Sequence, residues 1–244
     1  MKPLLLFSVF AVCGAATAAI AKTGRAEIKG RVVVSKALTK KRVTMPSYQL
    51  RGVAVDALNV ESSHNVAPVV DELSRVVVYL EAPGLDPGTP ITATLTQRNR
   101  RFDPEFVVVP VGSTVSFPNA DPIFHNVFSL SKVKAFDLGY YPDGQAQIVR
   151  FDRPGVVQVY CHLHADMAAA ILVVPTALWT RPRPDGSFSL PGIPPGDYEL
   201  VAWHRSAGFF RRRVALNRDE TVTVDFQIPL HESYPFLASA EPER

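Results

Sequence analysis

A short segment in the second half of the chain carries three side chains that can bind a soft metal ion. Cys161, His164 and Met167 lie within seven residues of one another, between two apolar runs rich in β-branched residues. Thiolate, imidazole and thioether ligands together suit copper in either oxidation state better than zinc, which seldom takes methionine. The segment therefore predicts a copper site.

A copper site of the blue type needs a second imidazole, which must come from another part of the chain. His125 is the best candidate, because it stands at the start of a predicted apolar strand upstream of Cys161. A β-sandwich can bring the end of such a strand beside the loop that follows Cys161. His162 is interpreted as an exposed or loop-supporting residue. Three further histidines have no metal-binding partner by spacing and are interpreted as structural: His64, His204 and His231.

Two other chemistries fit the same residues less well. A cysteine protease built from Cys161, His164 and Asn126 would place its nucleophile and its base in one tight loop, with no separate oxyanion donors. A structural zinc site would be expected to use more cysteines. The sequence thus predicts no catalytic residue, and we do not expect an enzyme.

The elements that must position these ligands are predicted to be β-strands. Short β-branched runs alternate with turn residues such as Pro110, Gly112 and Asn119, and no helical period of useful length appears. This pattern favours an all-β fold, an antiparallel sandwich or barrel. The strands are predicted at residues 26–34, 75–81, 91–97, 106–112, 113–119, 125–130, 145–151, 155–160, 170–174, 187–190, 198–203, 214–216 and 221–228, with a long excursion at 131–144 and an irregular tail at 231–244.

The composition and the first residues indicate an exported globular protein. The 244 residues are 47% hydrophobic and 20% charged, which is enough for one or two cores. Residues 1–21 combine Lys2, an apolar run from Leu4 to Cys13 and small residues suited to cleavage, as in a secretory signal peptide. We therefore expect a periplasmic location. No stretch reaches the ~20 apolar residues of a membrane-spanning helix.

Removal of the signal peptide would leave Cys161 as the only thiol. A lone thiol in an oxidising compartment is chemically exposed, and a bond to a metal ion would protect it. The formal net charge of +3 is too small to indicate a nucleic-acid partner.

The segment from Phe102 to Val174 resembles the cupredoxins of the plastocyanin and amicyanin type. The resemblance is carried by Phe102-Asp103-Pro104, Val111 to Val115, Phe117-Pro118-Asn119, His125-Asn126-Val127 and the loop Cys-x-x-His-x-x-Met. It implies a Greek-key sandwich, His125, Cys161, His164 and Met167 as copper ligands, and Asn126 as a residue that braces the ligand loop. Many relatives have proline before the second histidine, where this chain has Leu163.

The flanking sequence resembles the carboxypeptidase regulatory-like domain, a small transthyretin-like sandwich. Its markers are Gly30 and the signature that runs from Asp185-Gly186 through Phe188 and Pro191-Gly192 to Tyr198. We hypothesise a nested arrangement, in which residues 23–88 and 176–230 form one sandwich interrupted by a copper domain at 89–175. A simple string of modules is the rival arrangement.

These resemblances imply a periplasmic blue-copper electron carrier that exchanges electrons with a redox partner protein. A copper storage or delivery protein could use the same ligands, but the chain has only 3 methionines, including Met1. In a third interpretation the regulatory-like sandwich is a docking module and copper only stabilises it. The partner and the oligomeric state are not indicated by the sequence.

Overall fold

The computed structural model describes residues 24–37 and 72–231 and is built almost entirely of β-strands. Within this part of the chain the only helix is a single 3-10 turn at Glu72–Arg75, and no helix is long and apolar enough to cross a membrane. The all-β prediction is confirmed. The predicted signal peptide, His64 and residues 232–244 of the predicted tail lie outside the described residues.

The described residues form eighteen strands, numbered in chain order. They are β1 Ala26–Ala37, β2 Val76–Glu81, β3 Thr92–Thr94, β4 Thr96–Arg98, β5 Arg101–Asp103, β6 Phe106–Pro110, β7 Ser113–Pro118, β8 His125–Leu130, β9 Ala135–Tyr141, β10 Ala146–Phe151, β11 Gly155–Tyr160, β12 Ala168–Val174, β13 Trp179–Thr180, β14 Ser187–Ile193, β15 Gly196–His204, β16 Gly208–Leu216, β17 Thr221–Thr223 and β18 Phe226–His231.

The strands form four sheets that pack as successive layers. Sheet I has the order β14-β1-β17, with β18 also pairing β1; sheet II is β13-β2-β15-β16; sheet III is β6-β12-β11-β8-β9; and sheet IV is β10-β7-β3. A two-stranded hairpin, β4-β5, forms a fifth, small sheet, and Gln97 of β4 bridges to Asn119 after the end of β7. One apolar cluster lies between each pair of neighbouring sheets.

Strand β6 illustrates how the sequence builds these layers. Its alternate residues point to opposite faces, so Val107 and Val109 enter the core between sheets III and IV. Phe106 and Val108 enter the core between sheets II and III. Because both faces of the strand are covered, its sequence is a continuous apolar run rather than an alternating one.

The segments on either side of residues 89–175 pair with each other. Strand β1 pairs with β14, β17 and β18, and β2 pairs with β13 and β15. The chain leaves these paired segments and returns to them at one point, since the Ala177 amide donates a hydrogen bond to the Asp86 carbonyl at 2.9 Å. A Cβ built on Gly88 would lie 3.1 Å from the Cβ of Ala177. The two flanking segments therefore lie together at the point where residues 89–175 begin and end.

Several parts of the predicted strand pattern differ from the structure. The run predicted at 221–228 is divided into β17 and β18, which pair with successive stretches of β1, and β5 and β13 were not predicted. The excursion predicted at 131–144 contains β9, an edge strand whose mostly exposed side chains hide its period. The run at 91–97 is split at Leu95, so that β3 pairs with β7 while β4 pairs with β5. Strand β16 begins at Gly208, earlier than the predicted start at residue 214. The prediction began too late because Arg211, Arg212 and Arg213 interrupt the alternation of apolar residues on which it was based.

Candidate metal centre

Neighbouring strands of sheet III bring the predicted ligands to one end of the sandwich. His125 is the first residue of β8, and Cys161 directly follows β11. The two strands are adjacent, with Tyr160 opposite Phe128. The loop between β11 and β12 carries His164 and Met167, so hairpin formation alone places three of the four residues together.

Backbone hydrogen bonds close this loop. The Cys161 amide donates to the Met167 carbonyl at 3.2 Å, and the Met167 amide donates to the His164 carbonyl at 3.0 Å. The bonds return the chain after a single tight turn. They hold the loop side chains on the side of the sandwich that His125 occupies.

The nitrogen and sulfur donors converge. The Cys161 Sγ lies 3.9 Å from His125 Nδ1 and 3.7 Å from His164 Nδ1, and the three donor atoms lie within 4.8 Å of one another. With bonds of roughly 2.3 Å to sulfur and roughly 2.0 Å to nitrogen, a trigonal metal ion would separate sulfur from nitrogen by about 3.7 Å. The two sulfur-to-nitrogen distances therefore suit one metal ion held by these three side chains.

Burial differs among the four predicted ligands. His125 and Cys161 are buried, and His164 is partly exposed. Met167 is 1% exposed and belongs to the same apolar cluster as Cys161. Solvent thus reaches the centre at one ring, while the other ligand side chains are enclosed by the core.

Asp121 is a residue of the site that the sequence analysis missed. Its Oδ2 lies 2.8 Å from His125 Nε2. A carboxylate at this position fixes the proton on Nε2 and leaves Nδ1, which faces the thiol, free to bind a metal ion. The four-residue spacing between Asp121 and His125 was the available signal, but this spacing has meaning only once the turn between them is known.

The Asp121 carboxylate also holds a neighbouring turn. Its two oxygens accept hydrogen bonds from the amides of Asn99 at 2.6 Å and Arg100 at 2.8 Å. Burial opposes ionisation of Asp121, but these hydrogen bonds and the one to His125 outweigh it, so its pKa lies below the usual value. Asp121 is therefore a stable anion beside the ligand ring.

The electrostatic surroundings of His164 favour its neutral form. Partial burial lowers its pKa, and the neighbouring His125 and Arg100 lower it further. Neutral imidazole is the form that binds a metal ion, so this environment suits a ligand.

Asn126 was expected to brace the ligand loop, and its side chain contacts strand β9. Its Nδ2 donates to Asp137 Oδ1 at 2.6 Å and to the Gly139 carbonyl at 3.1 Å. The Asp137 carboxylate in turn lies 3.4 Å from His162 Nε2. The ring of His162 stacks on Phe128, with ring centres 3.8 Å apart. The route from Asn126 to the ligand loop thus passes through Asp137 and His162.

The aromatic residues around the first histidine divide between core and surface. Tyr141 is buried, as expected for a sandwich core. Phe124 and Tyr140, however, are 56% and 58% exposed. The aliphatic side chain of Leu163, in the loop after β11, is 51% exposed. Phe124 and Leu163 each precede a predicted histidine ligand in sequence, so apolar side chains lie at the surface next to both.

Comparisons with known proteins cover only part of the chain. No protein-family model and no curated protein matches it. Among solved structures, 34% of this chain aligns with 82% of a point mutant of amicyanin in its Cu(I) form, at 21% identity and a TM-score of 0.33. A purple cupredoxin from Nitrosopumilus maritimus aligns over 99% of its length with 34% of this chain, at 22% identity and a TM-score of 0.32.

A copper-containing nitrite reductase from Thermus scotoductus SA-01 also aligns, at 24% identity and a TM-score of 0.33. The match covers 38% of this chain and only 25% of the reductase. All three scores lie below 0.5, so the interpretation of the site rests on its own donor geometry.

Proposed function

We propose that this protein is an exported electron carrier with one copper ion bound by His125, Cys161, His164 and Met167. The observation that carries the proposal is the convergence of one sulfur and two imidazole nitrogens within 4.8 Å. Thiolate and imidazole with a nearby thioether form the donor set of blue-copper sites. Bound copper would supply one-electron redox chemistry.

The protein's own residues hold the donors in place. Asp121 orients the ring of His125, and the backbone bonds of the loop fix the positions of Cys161 and Met167. Enclosed ligands move little between oxidation states, which favours electron transfer over storage or delivery, where an exposed and flexible site releases the ion more readily. The partly exposed ring of His164 is the proposed point of electron exchange with a redox partner protein.

Two features of the wider chain belong to the same proposal. Export through a cleaved signal peptide at residues 1–21 would place the protein in the periplasm. The sandwich of sheets I and II, formed from residues 23–88 and 176–230, would be a carboxypeptidase regulatory-like domain, and residues 89–175 would be a cupredoxin domain nested within it. The pairing of β1 with β14 and the contact of Gly88 with Ala177 support this division.

Visible absorption of the copper-loaded protein tests the proposal. We expect an intense blue or purple thiolate-to-copper charge-transfer band that disappears in Cys161→Ser. His162→Asn is the control, because its ring lies next to the thiolate in sequence but faces Asp137 and Phe128, and it should keep the band. A wild-type protein that binds copper without this band would contradict electron transfer and favour the storage or delivery function.

A further inference from the structure

The hairpin β4-β5 presents three arginines beside the metal centre. Arg98, Arg100 and Arg101 are all exposed, and we call residues 98–101 the arginine turn. Arg98 lies directly opposite Arg101 in the ladder. None of the three guanidinium groups forms an ion pair with a carboxylate in the described part of the chain. The turn is therefore a concentrated positive charge open to solvent.

The local structure of the arginine turn is unfavourable in two ways. Like charges directly opposite each other destabilise a ladder. Both central residues also have positive φ, 54° at Asn99 and 56° at Arg100. Asparagine tolerates this conformation, but the second position of such a turn favours glycine, and arginine there is strained. Local costs of this kind concentrate at functional sites, where another requirement outweighs stability.

The arginine turn is fixed relative to the metal centre. One carboxylate, Asp121, accepts hydrogen bonds from the Asn99 and Arg100 amides and contacts His125 Nε2. The turn and the ligand ring are thus held by the same side chain. A partner bound at the turn would be held at a set distance from the ligands.

A second group of arginines, at residues 211–213, lies away from the predicted ligands. Arg211 lies on β16, far along the chain in the other sandwich, and its Nη1 is 2.6 Å from Glu81 Oε2 and 2.8 Å from Glu199 Oε2. Its charge is neutralised within the sheet. Arg212 and Arg213 are exposed and, like the arginine turn, form no ion pair with a carboxylate of the described residues. What distinguishes the arginine turn is its place next to the predicted ligands, to which Asp121 connects it.

We propose that the arginine turn is the docking site for a carboxylate-rich surface of a protein redox partner. The inference rests on the proposed function and names the chemistry of its partner. Arginine next to exposed apolar side chains is typical of protein interfaces, and Phe124 and Leu163 provide such side chains beside the two histidines. This combination favours an acidic protein over an anionic lipid surface. Unpaired cations of this kind would also steer the partner during its approach.

Neutralising the arginine turn in the full chain tests the proposal, with poly-L-glutamate as the probe of an acidic surface. The test variant is Arg98→Gln with Arg100→Gln and Arg101→Gln. The control is Arg212→Gln with Arg213→Gln and Arg218→Gln, at three exposed arginines of the other sandwich. Both variants therefore lose the same net charge. Calorimetry at low ionic strength should show poly-L-glutamate binding weakened about tenfold or more by the test variant and less than twofold by the control.

Oxidation of the reduced copper protein by anionic hexacyanoferrate(III) gives a second measurement. We expect the rate constant to fall about tenfold in the test variant only, and the difference to vanish at high salt. Equal effects of the two variants would overturn the proposal, because net charge alone would then explain them. Sedimentation with phosphatidylglycerol vesicles that is lost in the test variant, with poly-L-glutamate binding unchanged, would overturn it in favour of a lipid surface.

The failures of the two proposals can be told apart, because calorimetry on metal-free protein needs no copper. A chain without the charge-transfer band that still binds poly-L-glutamate through the arginine turn would refute the electron-transfer function and keep the acidic-surface site. A chain that shows the band, but whose poly-L-glutamate binding is unchanged in the test variant, would refute the acidic-surface site and keep the electron-transfer function. Thermal melting of each variant confirms that it is folded.

Discussion

At the scale of single residues, the carboxylate of Asp121 is shared between a predicted ligand ring and a turn, and this sharing can be tested. In Asp121→Asn the amide nitrogen must replace one oxygen, so an acceptor is lost either at His125 Nε2 or at the turn amides. Loss of a residue that orients a ligand commonly lowers metal affinity 10- to 100-fold, by the order of magnitude known for such contacts. We expect Asp121→Asn to bind copper with an affinity lowered by this factor, measured by competition with a copper chelator.

The control is Asp152→Asn. Asp152 carries an exposed carboxylate in the same sandwich, and its Oδ1 accepts a hydrogen bond from Arg150 Nε at 2.6 Å rather than from a residue of the site. The substitution should change copper affinity less than threefold, as expected for a general effect of removing one charge in partly screened surroundings. Equal losses in both variants would show that Asp121 acts through its charge and not through the ring of His125.

The candidate ligands could be proposed from the sequence because their chemistry is local. Cys161, His164 and Met167 share one loop, and their residue types are rare enough together to indicate a metal ion. His125 was added from its position at the start of a predicted strand, and the resemblance then implied the same residue. Asp121 could not be found in this way, since an aspartate before a histidine is common and only the folded turn between β7 and β8 directs the carboxylate to Nε2.

At the scale of elements, the end of β15 carries a buried histidine that should make stability depend on pH. His204 Nδ1 accepts hydrogen bonds from the amides of Ser206 and Ala207, both at 3.1 Å. An acceptor nitrogen must be unprotonated, and Nε2 then carries the proton, 3.2 Å from Glu72 Oε2. Burial lowers the pKa of His204, and the attraction of Glu72 only partly opposes this.

A histidine whose folded pKa is lowered contributes stability above its unfolded pKa of about 6.5, and that stability is lost as the pH falls towards the folded pKa. The free energy of unfolding should therefore decrease between pH 7 and pH 5. His204→Asn keeps an acceptor for the two amides but does not titrate, so urea unfolding at both pH values should show a smaller decrease. Equal decreases in wild type and variant would refute this role.

The elements themselves could be predicted where the apolar pattern is uninterrupted, as in β6, β8 and β11. Strand β9 was missed because an edge strand of this sheet keeps mostly exposed side chains, and such a strand resembles a loop in sequence. The split of β3 from β4 is equally hidden, since Leu95 continues the run while the backbone changes partners. Edges and partner changes depend on the assembled sheets, which local sequence does not describe.

At the scale of the whole molecule, the adjacency of Gly88 and Ala177 predicts that residues 89–175 can be removed without unfolding the rest. A chain that joins Gly88 directly to Thr176 keeps the pairing of β1 with β14 and of β2 with β15. We expect a β-type circular dichroism spectrum and a cooperative melt. The uncovered apolar face of sheet II should also cause self-association, visible by light scattering. A non-cooperative, unfolded product would contradict nesting and favour a string of modules.

The contact between the two sandwiches should couple copper binding to the stability of the whole chain. Sheets II and III share a buried apolar cluster, in which the rings of Phe106 and Trp203 meet edge to face with centres 5.4 Å apart. Copper at 1,000 times its dissociation constant would stabilise the fold by about 4 kcal/mol. Calorimetry should therefore show one unfolding transition whose midpoint temperature rises as a whole.

Trp203→Ala removes about 3–5 kcal/mol of packing energy from this shared cluster. We expect the variant to unfold in two transitions, of which copper shifts only one. The exposed substitution Val33→Ala on β1 is the control and should leave the single transition intact. Two transitions in the wild-type protein, with copper moving one of them, would mean that the shared core does not join the sandwiches into one cooperative unit.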